Sequence, residues 1–102
     1  MSILQKGVRE VRVVLCSSSA HSSGVRQFVT DNYAKIKAAD PELSFIVREC
    51  QDAQPVITAR YDYGVEQRVY LLNATKDEVA NALNELVEQA PKINRTAHHN
   101  RF

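Results

Sequence analysis

The chain is poor in the residues that carry cofactor chemistry. Its 102 residues include two cysteines, three glycines and three prolines, and its net charge is +1. Two cysteines are too few to ligate an iron–sulfur cluster. Gly7, Gly24 and Gly64 are scattered, so no Gly-rich dinucleotide loop can form, and no flavin motif occurs. The expectation is a protein with no cofactor of its own. No run of about eighteen apolar residues exists, which excludes a membrane-spanning helix. Met1 to Gly7 lacks the apolar stretch of a secretory signal and the length of an Arg-rich presequence. His98 and His99 lie side by side with no third ligand at a fixed distance and no acid after Pro91, so no metal site is expected. His21 stands among serines, but no orienting carboxylate marks a nucleophilic triad.

What is present suits one domain: the length is typical of one, and 44% apolar content fills a single core. Charge is spread unevenly. Lys6, Arg9 and Arg12 against Glu10 make residues 1–12 basic, and Lys92, Arg95 and Arg101 do the same for residues 91–102. Residues 13–90 carry seven basic and eleven acidic side chains. An acidic middle argues against nucleic acid as the partner and for protein.

Alternating β-branched residues predict a first strand over Val8–Leu15, followed by Cys16 and a serine-rich loop. Ser22 or Ser23 is the expected cap of a helix whose apolar stripe is Val25, Phe28, Val29, Tyr33 and Ile36 and which ends before Asp40 and Pro41. A second strand runs from Leu43 to Cys50, and its continuous Phe45, Ile46, Val47 run predicts cover on both faces. Pro55 leads into a third strand, Val56–Tyr61, which Asp62, Tyr63 and Gly64 turn into a fourth, Gln67–Leu72. Thr75 with Glu78 forms a capping box for a closing helix that buries Val79, Ala82, Leu83, Leu86, Val87 and Ala90.

The expected fold is therefore α/β, in the order β-α-β-β-β-α. A four-stranded mixed sheet flanked by helices occupies residues 1–90, in a thioredoxin-like plan. Residues 91–102 have no sustained periodicity and read as an extended tail, mobile unless docked on a partner. The βαβ crossover places Cys16 and Cys50 at one edge of the sheet. Neighbouring strands lie about 4.8 Å apart there, within the reach of a disulfide.

Several local blocks carry a family resemblance. They are Val8 to Arg12, Cys16, Gly24 to Val29, Asp40 with Pro41, and above all Arg48, Glu49, Cys50 followed by Gln54, Pro55, Ala59, Arg60, Tyr61, Gly64, Val65 and Glu66. Over residues 8–90 the chain resembles the thioredoxin-like accessory subunits of mitochondrial respiratory complex I known as alpha-subcomplex subunit 2. It is also similar, less closely, to some mitochondrial ribosomal proteins. The resemblance implies a non-catalytic subunit of NADH:ubiquinone oxidoreductase on the matrix side of the inner membrane, contributing to assembly and stability. Its partners would be other complex I subunits, foremost the large iron–sulfur subunit of the peripheral arm. The alternative is a ribosomal protein of the same fold.

The resemblance also implies that Cys16 and Cys50 can close a disulfide, worth roughly 3 to 4 kcal/mol in the chain-entropy model. Two small buried side chains at strand ends, or a thiol-transfer site built on Cys16 and Ser19, are the other readings. The predicted helix start lies too far from Cys16 for the helix end to lower its pKa. The same resemblance makes Pro55 a cis-proline candidate. Arg48, Glu49, Arg60 and Tyr61 are partner-docking candidates, with an internal Arg–Glu network as the competing reading.

Overall fold

Strand β1, Glu10–Leu15, is the centre of the molecule in the computed structural model, which describes residues 3–100. Its side chains alternate. Val11, Val13 and Leu15 are excluded from solvent, whereas Glu10, Arg12 and Val14 on the opposite face are half-buried. Helix α1, Ser23–Ala39, carries the chain over to β2, Ser44–Glu49, which pairs with β1 in parallel. A short link then crosses the end of β1 to β3, Val56–Arg60, antiparallel to β1 on its other side, and a hairpin leads to β4, Glu66–Tyr70. The sheet order is β2-β1-β3-β4. The fold is thus α/β with a mixed four-stranded sheet, in the predicted order of elements.

The hairpin needs left-handed backbone, and Tyr63 (φ 64°) and Gly64 (φ 77°) supply it in succession. Helix α2, Lys76–Glu88, begins with the predicted capping box: Thr75 Oγ1 accepts from Glu78 N at 3.2 Å, and Thr75 N donates to Glu78 Oε1 at 3.1 Å. Its buried face is the predicted one, Val79, Ala82, Leu83, Leu86 and Val87. These pack with Val25 and Phe28 of α1 against Val11, Val13, Leu15, Phe45, Ile57 and Ala59. Both helices lie on one face of the sheet.

Four expectations change. The apolar run of β2 is not covered on both faces: Ile46 is 38% exposed, because β2 is an edge strand and its outward residues meet no helix. Ser22 occupies the N-cap position of α1 but makes no capping bond, because its hydroxyl accepts the amide of Cys16 at 3.1 Å instead. No peptide bond among the described residues is cis, so the Gln54–Pro55 bond is trans. An extended trans entry fits here because the Pro55 carbonyl accepts from Leu71 N at 2.8 Å, adding a rung beside the β3–β4 ladder.

The segment expected to be extended forms a third helix, α3, Ala90–Asn100. Pro91 sits in its first turn, where no amide donor is required. Helix α3 is fixed to the body by Asn94. Its Nδ2 donates to the Gly7 carbonyl at 3.2 Å, its Oδ1 accepts from Asp62 N at 2.9 Å, and Ile93 packs on the core. The side chains of His98 and His99 and all of Arg101 and Phe102, which entered the sequence reading, lie outside the described residues.

Gly24 shows how closely α1 meets the start of α2. A Cβ at this position would collide with the Ala74 carbonyl and the Thr75 backbone, neither of which can rotate away. Gly24→Ala is expected to cost about 3 kcal/mol or more, against about 1 kcal/mol for Thr75→Ala, which removes only the cap; urea denaturation of the two variants checks the order.

Candidate functional site

Two features stand out once the side chains are placed. One is the cysteine pair and the other is the open face of the sheet. The β1–β2 register runs from Glu10 opposite Ser44 to Leu15 opposite Glu49, and Cys50 N donates to Leu15 O at 2.9 Å. Continued by one residue, the register sets Cys16 beside Cys50, at one rim of the sheet as expected. Both thiols are free, with Cys16 buried and Cys50 half-buried.

Cys16 sits under two loops. The serine loop that follows it folds back, and the Cys50–Pro55 link passes over it with Asp52 in left-handed backbone (φ 60°). The Cys16 thiol is lowered from 9.0 to about 6, chiefly by the Ser19 hydroxyl, then by the amides of Ser18, Asp52 and Ser19. Burial acts the other way and is the weakest influence. The sequence points to no such influence on Cys16, because the predicted helix start lies too far away. The acidifying groups are instead hydroxyl and amide donors of the loops, which hydrogen-bond the thiolate and favour it.

Arg26 holds this arrangement and was not singled out from the sequence. Its Nη1 donates to the carbonyls of Cys16 at 2.8 Å and Ser19 at 2.7 Å, so one guanidinium closes the loop onto the first helical turns of α1. Its place one residue after Val25 on the helical repeat was the available signal, since a cation there faces the loop before the helix. His21 and Asn73 complete the frame. His21 Nδ1 lies 3.1 Å from Ser22 Oγ, and Asn73 N donates to the His21 carbonyl at 3.0 Å.

The four docking candidates do not form one cluster. Tyr61 is 1% exposed and donates to the Leu86 carbonyl at 2.7 Å, so it joins β3 to α2 inside the core and cannot anchor a partner. Burial raises its phenol to about 12 and keeps it neutral. Glu49 is exposed at the end of β2, on the parity of the helix-covered face. Arg48 and Arg60 lie on the uncovered face.

That face takes one side chain from every second residue. The registers align Ser44, Glu10, Arg60 and Glu66 in one row, Ile46, Arg12, Thr58 and Arg68 in the next, and Arg48, Val14, Val56 and Tyr70 in the third. Both glutamates make their close contacts with Arg12, Glu10 at 2.9 Å and Glu66 at 2.5 Å. Arg60 and Arg68 reach the same carboxylates only at 3.9 and 3.7 Å. Arg48 has no ion pair among the described residues. An internal network therefore exists, but it is centred on Arg12 rather than on the residues named from the sequence.

Comparison with known proteins adds a family to this geometry. Residues 25–76 match the model of the mitochondrial ribosomal protein L51 / S25 / CI-B8 domain. A Mus musculus protein named NADH dehydrogenase (ubiquinone) 1 alpha subcomplex subunit 2 is 43% identical over 81 residues, covering 79% of this chain and 82% of the relative. The Arabidopsis thaliana protein of the same name is 41% identical over 85 residues, 83% and 88% of the two chains. The Neurospora crassa NADH-ubiquinone oxidoreductase 10.5 kDa subunit is 28% identical over 83 residues, 81% and 88%.

The thiol value can be tested directly. In a Cys50→Ser chain, ultraviolet thiolate absorbance is expected to titrate near pH 6, and Ser19→Ala to move the midpoint toward 9. Because the folded value lies below the unfolded one, stability relative to Cys16→Ser should grow as pH rises from about 6 to 9 and vanish as pH falls through about 6.

Proposed function

The chain belongs to the family of NADH dehydrogenase (ubiquinone) alpha subcomplex subunit 2, and from that membership we propose that it is a non-catalytic accessory subunit of respiratory complex I. The observation that carries the reading is the match, over about four fifths of the chain, to complex I subunits of an animal, a plant and a fungus. The site chemistry agrees with it. The paired cysteines offer a thiol pair and the open sheet face offers a surface for a partner.

In this reading the thioredoxin-like body of residues 1–90 docks on the peripheral arm, against the large iron–sulfur subunit, on the matrix side of the inner membrane. Residues 91–102 add contacts to the partner. The role is assembly and stability of the electron-input region. Cys16 and Cys50 serve as a redox-sensitive pair: two thiols give up two electrons and two protons to an oxidant such as glutathione disulfide and form one S–S bond. The β1–β2 register supports this, because continued by one residue it sets the two cysteines on neighbouring strands, which usually lie about 4.8 Å apart, within a disulfide's reach.

The family model also covers mitochondrial ribosomal proteins, which need a broad basic surface to neutralise RNA phosphates. The acidic excess between residues 13 and 90 favours the complex I reading.

A tagged chain, expressed in mitochondria, is expected to co-migrate with complex I on native gels and to be absent from ribosomal fractions. Migration with a ribosomal subunit would replace this reading with the alternative. Running the assembled fraction without reductant, with intact-mass analysis, is expected to find a portion of the chain two hydrogens lighter, lost in Cys50→Ser.

A further inference from the structure

We infer that the open face of the sheet is the docking surface, and that its occupant is an amphipathic α-helix of a partner protein bearing acidic residues beside its apolar stripe. The inference rests on the reading of the chain as a docked subunit and names what that subunit holds.

Shape sets the kind of occupant. Four strands at about 4.8 Å spacing give a patch about 14 Å wide, and strands of five or six residues make it about 17 to 20 Å long. One helix, about 10 to 12 Å across, fills such a patch with about three turns. Helices are also what covers the inner face, where α1 and α2 lie. The link from β2 to β3, Cys50–Pro55, is too short to hold a helix, so no element of the chain between these strands crosses the outer face.

Composition sets the chemistry. Val14, Val56, Ile46 and Tyr70 form a band across all four strands, and Ile46 and Tyr70 are 38% and 61% exposed. Four arginines and two glutamates surround it, leaving two positive charges in surplus. Because both glutamates are spent on Arg12, the under-paired cations are Arg48 on β2, Arg60 on β3 and Arg68 on β4. They stand around the band where a helix's flanking positions would fall. Arg and Tyr are the side chains that most often dominate interfaces, and Arg pairs with carboxylates in fork geometry. A nucleic acid is the poorer fit, since glutamates and an apolar band would face its phosphates.

Two measurements on the full chain in mitochondria test this. The first places a photo-crosslinking amino acid at Ile46 or Tyr70, with Asn81 and Asn84 on α2 as comparison positions. Crosslinks from Ile46 and Tyr70 are expected to map to a peptide with apolar residues at helical spacing flanked by Asp and Glu. Crosslinks to RNA or to a basic segment overturn the inference, as do crosslinks that arise only from Asn81 and Asn84.

The second uses the double variant Arg48→Glu with Arg68→Glu, whose fold is checked by circular dichroism of the purified chain. It is expected to lower the assembled fraction about tenfold or more, and Lys35→Glu on α1 by less than about twofold. A folded double variant that assembles normally overturns the inference. Wild-type chain absent from complex I but crosslinked through Ile46 to an acidic helix elsewhere would refute the functional reading and leave the docking face standing.

Discussion

Strand β1 is bonded on both sides, in parallel to β2 and antiparallel to β3, and nearly everything else follows from that double ladder. Its two-residue period divides the molecule. Val11, Val13 and Leu15 must be covered, and α1 and α2 cover them. Glu10, Arg12 and Val14 face the other way, beside the outward residues of three further strands. The same ladder sets the end of β1 level with the end of β2. The sheet thus decides three things at once: which side holds the core, which side stays open, and at which rim the two cysteines stand.

Much of this plan was legible in the sequence, for reasons that particular residues make plain. The Thr75 to Glu78 box is a local device whose partners are three residues apart, so it reads correctly without knowledge of the fold. The alternation in Val11, Val13 and Leu15 and the helical spacing from Val79 to Val87 are similarly self-contained. The register of Cys16 and Cys50 was legible because a parallel crossover leaves little freedom in where its strands end. What sequence could not supply was the environment of β2. A run such as Phe45, Ile46, Val47 looks alike in a doubly covered strand and in an edge strand with one open face. Tyr61 was misplaced for a related reason, since a phenol on a strand is equally at home against a partner or against the Leu86 carbonyl of a distant helix. The stretch from Pro91 lacks a sustained apolar period, yet the first turn of a new helix accepts a proline and α3 forms there.

The electrostatics divide along the same line. Charges close in sequence, such as Glu10 and Arg12, could be anticipated as partners, whereas the second carboxylate on Arg12 comes from Glu66, two strands away. Together the near and the distant pairing occupy both glutamates and leave the outer arginines under-compensated. At the cysteine end, Arg26 reaches back to the loop from the adjoining helix, but Asp52 joins the Ser18 and Ser19 donors only because the β2–β3 link crosses above β1. Short-range pattern gives no access to such meetings. Both candidate sites are therefore products of topology, assembled from segments that no motif joins.

Asn94 ties three segments through one amide: the turn after the Leu4–Lys6 helical turn, the β3–β4 hairpin, and α3. During synthesis or passage across a membrane, the chain emerges from its first residues onward, so Gly7 and Asp62 wait for a latecomer. Until residue 94 arrives, a half-born chain keeps the Gly7 carbonyl and the Asp62 amide without their final partner. The closing stitch thus comes from a segment made after both of its partners, so the first turn and the hairpin gain their final rigidity only once residue 94 has followed them.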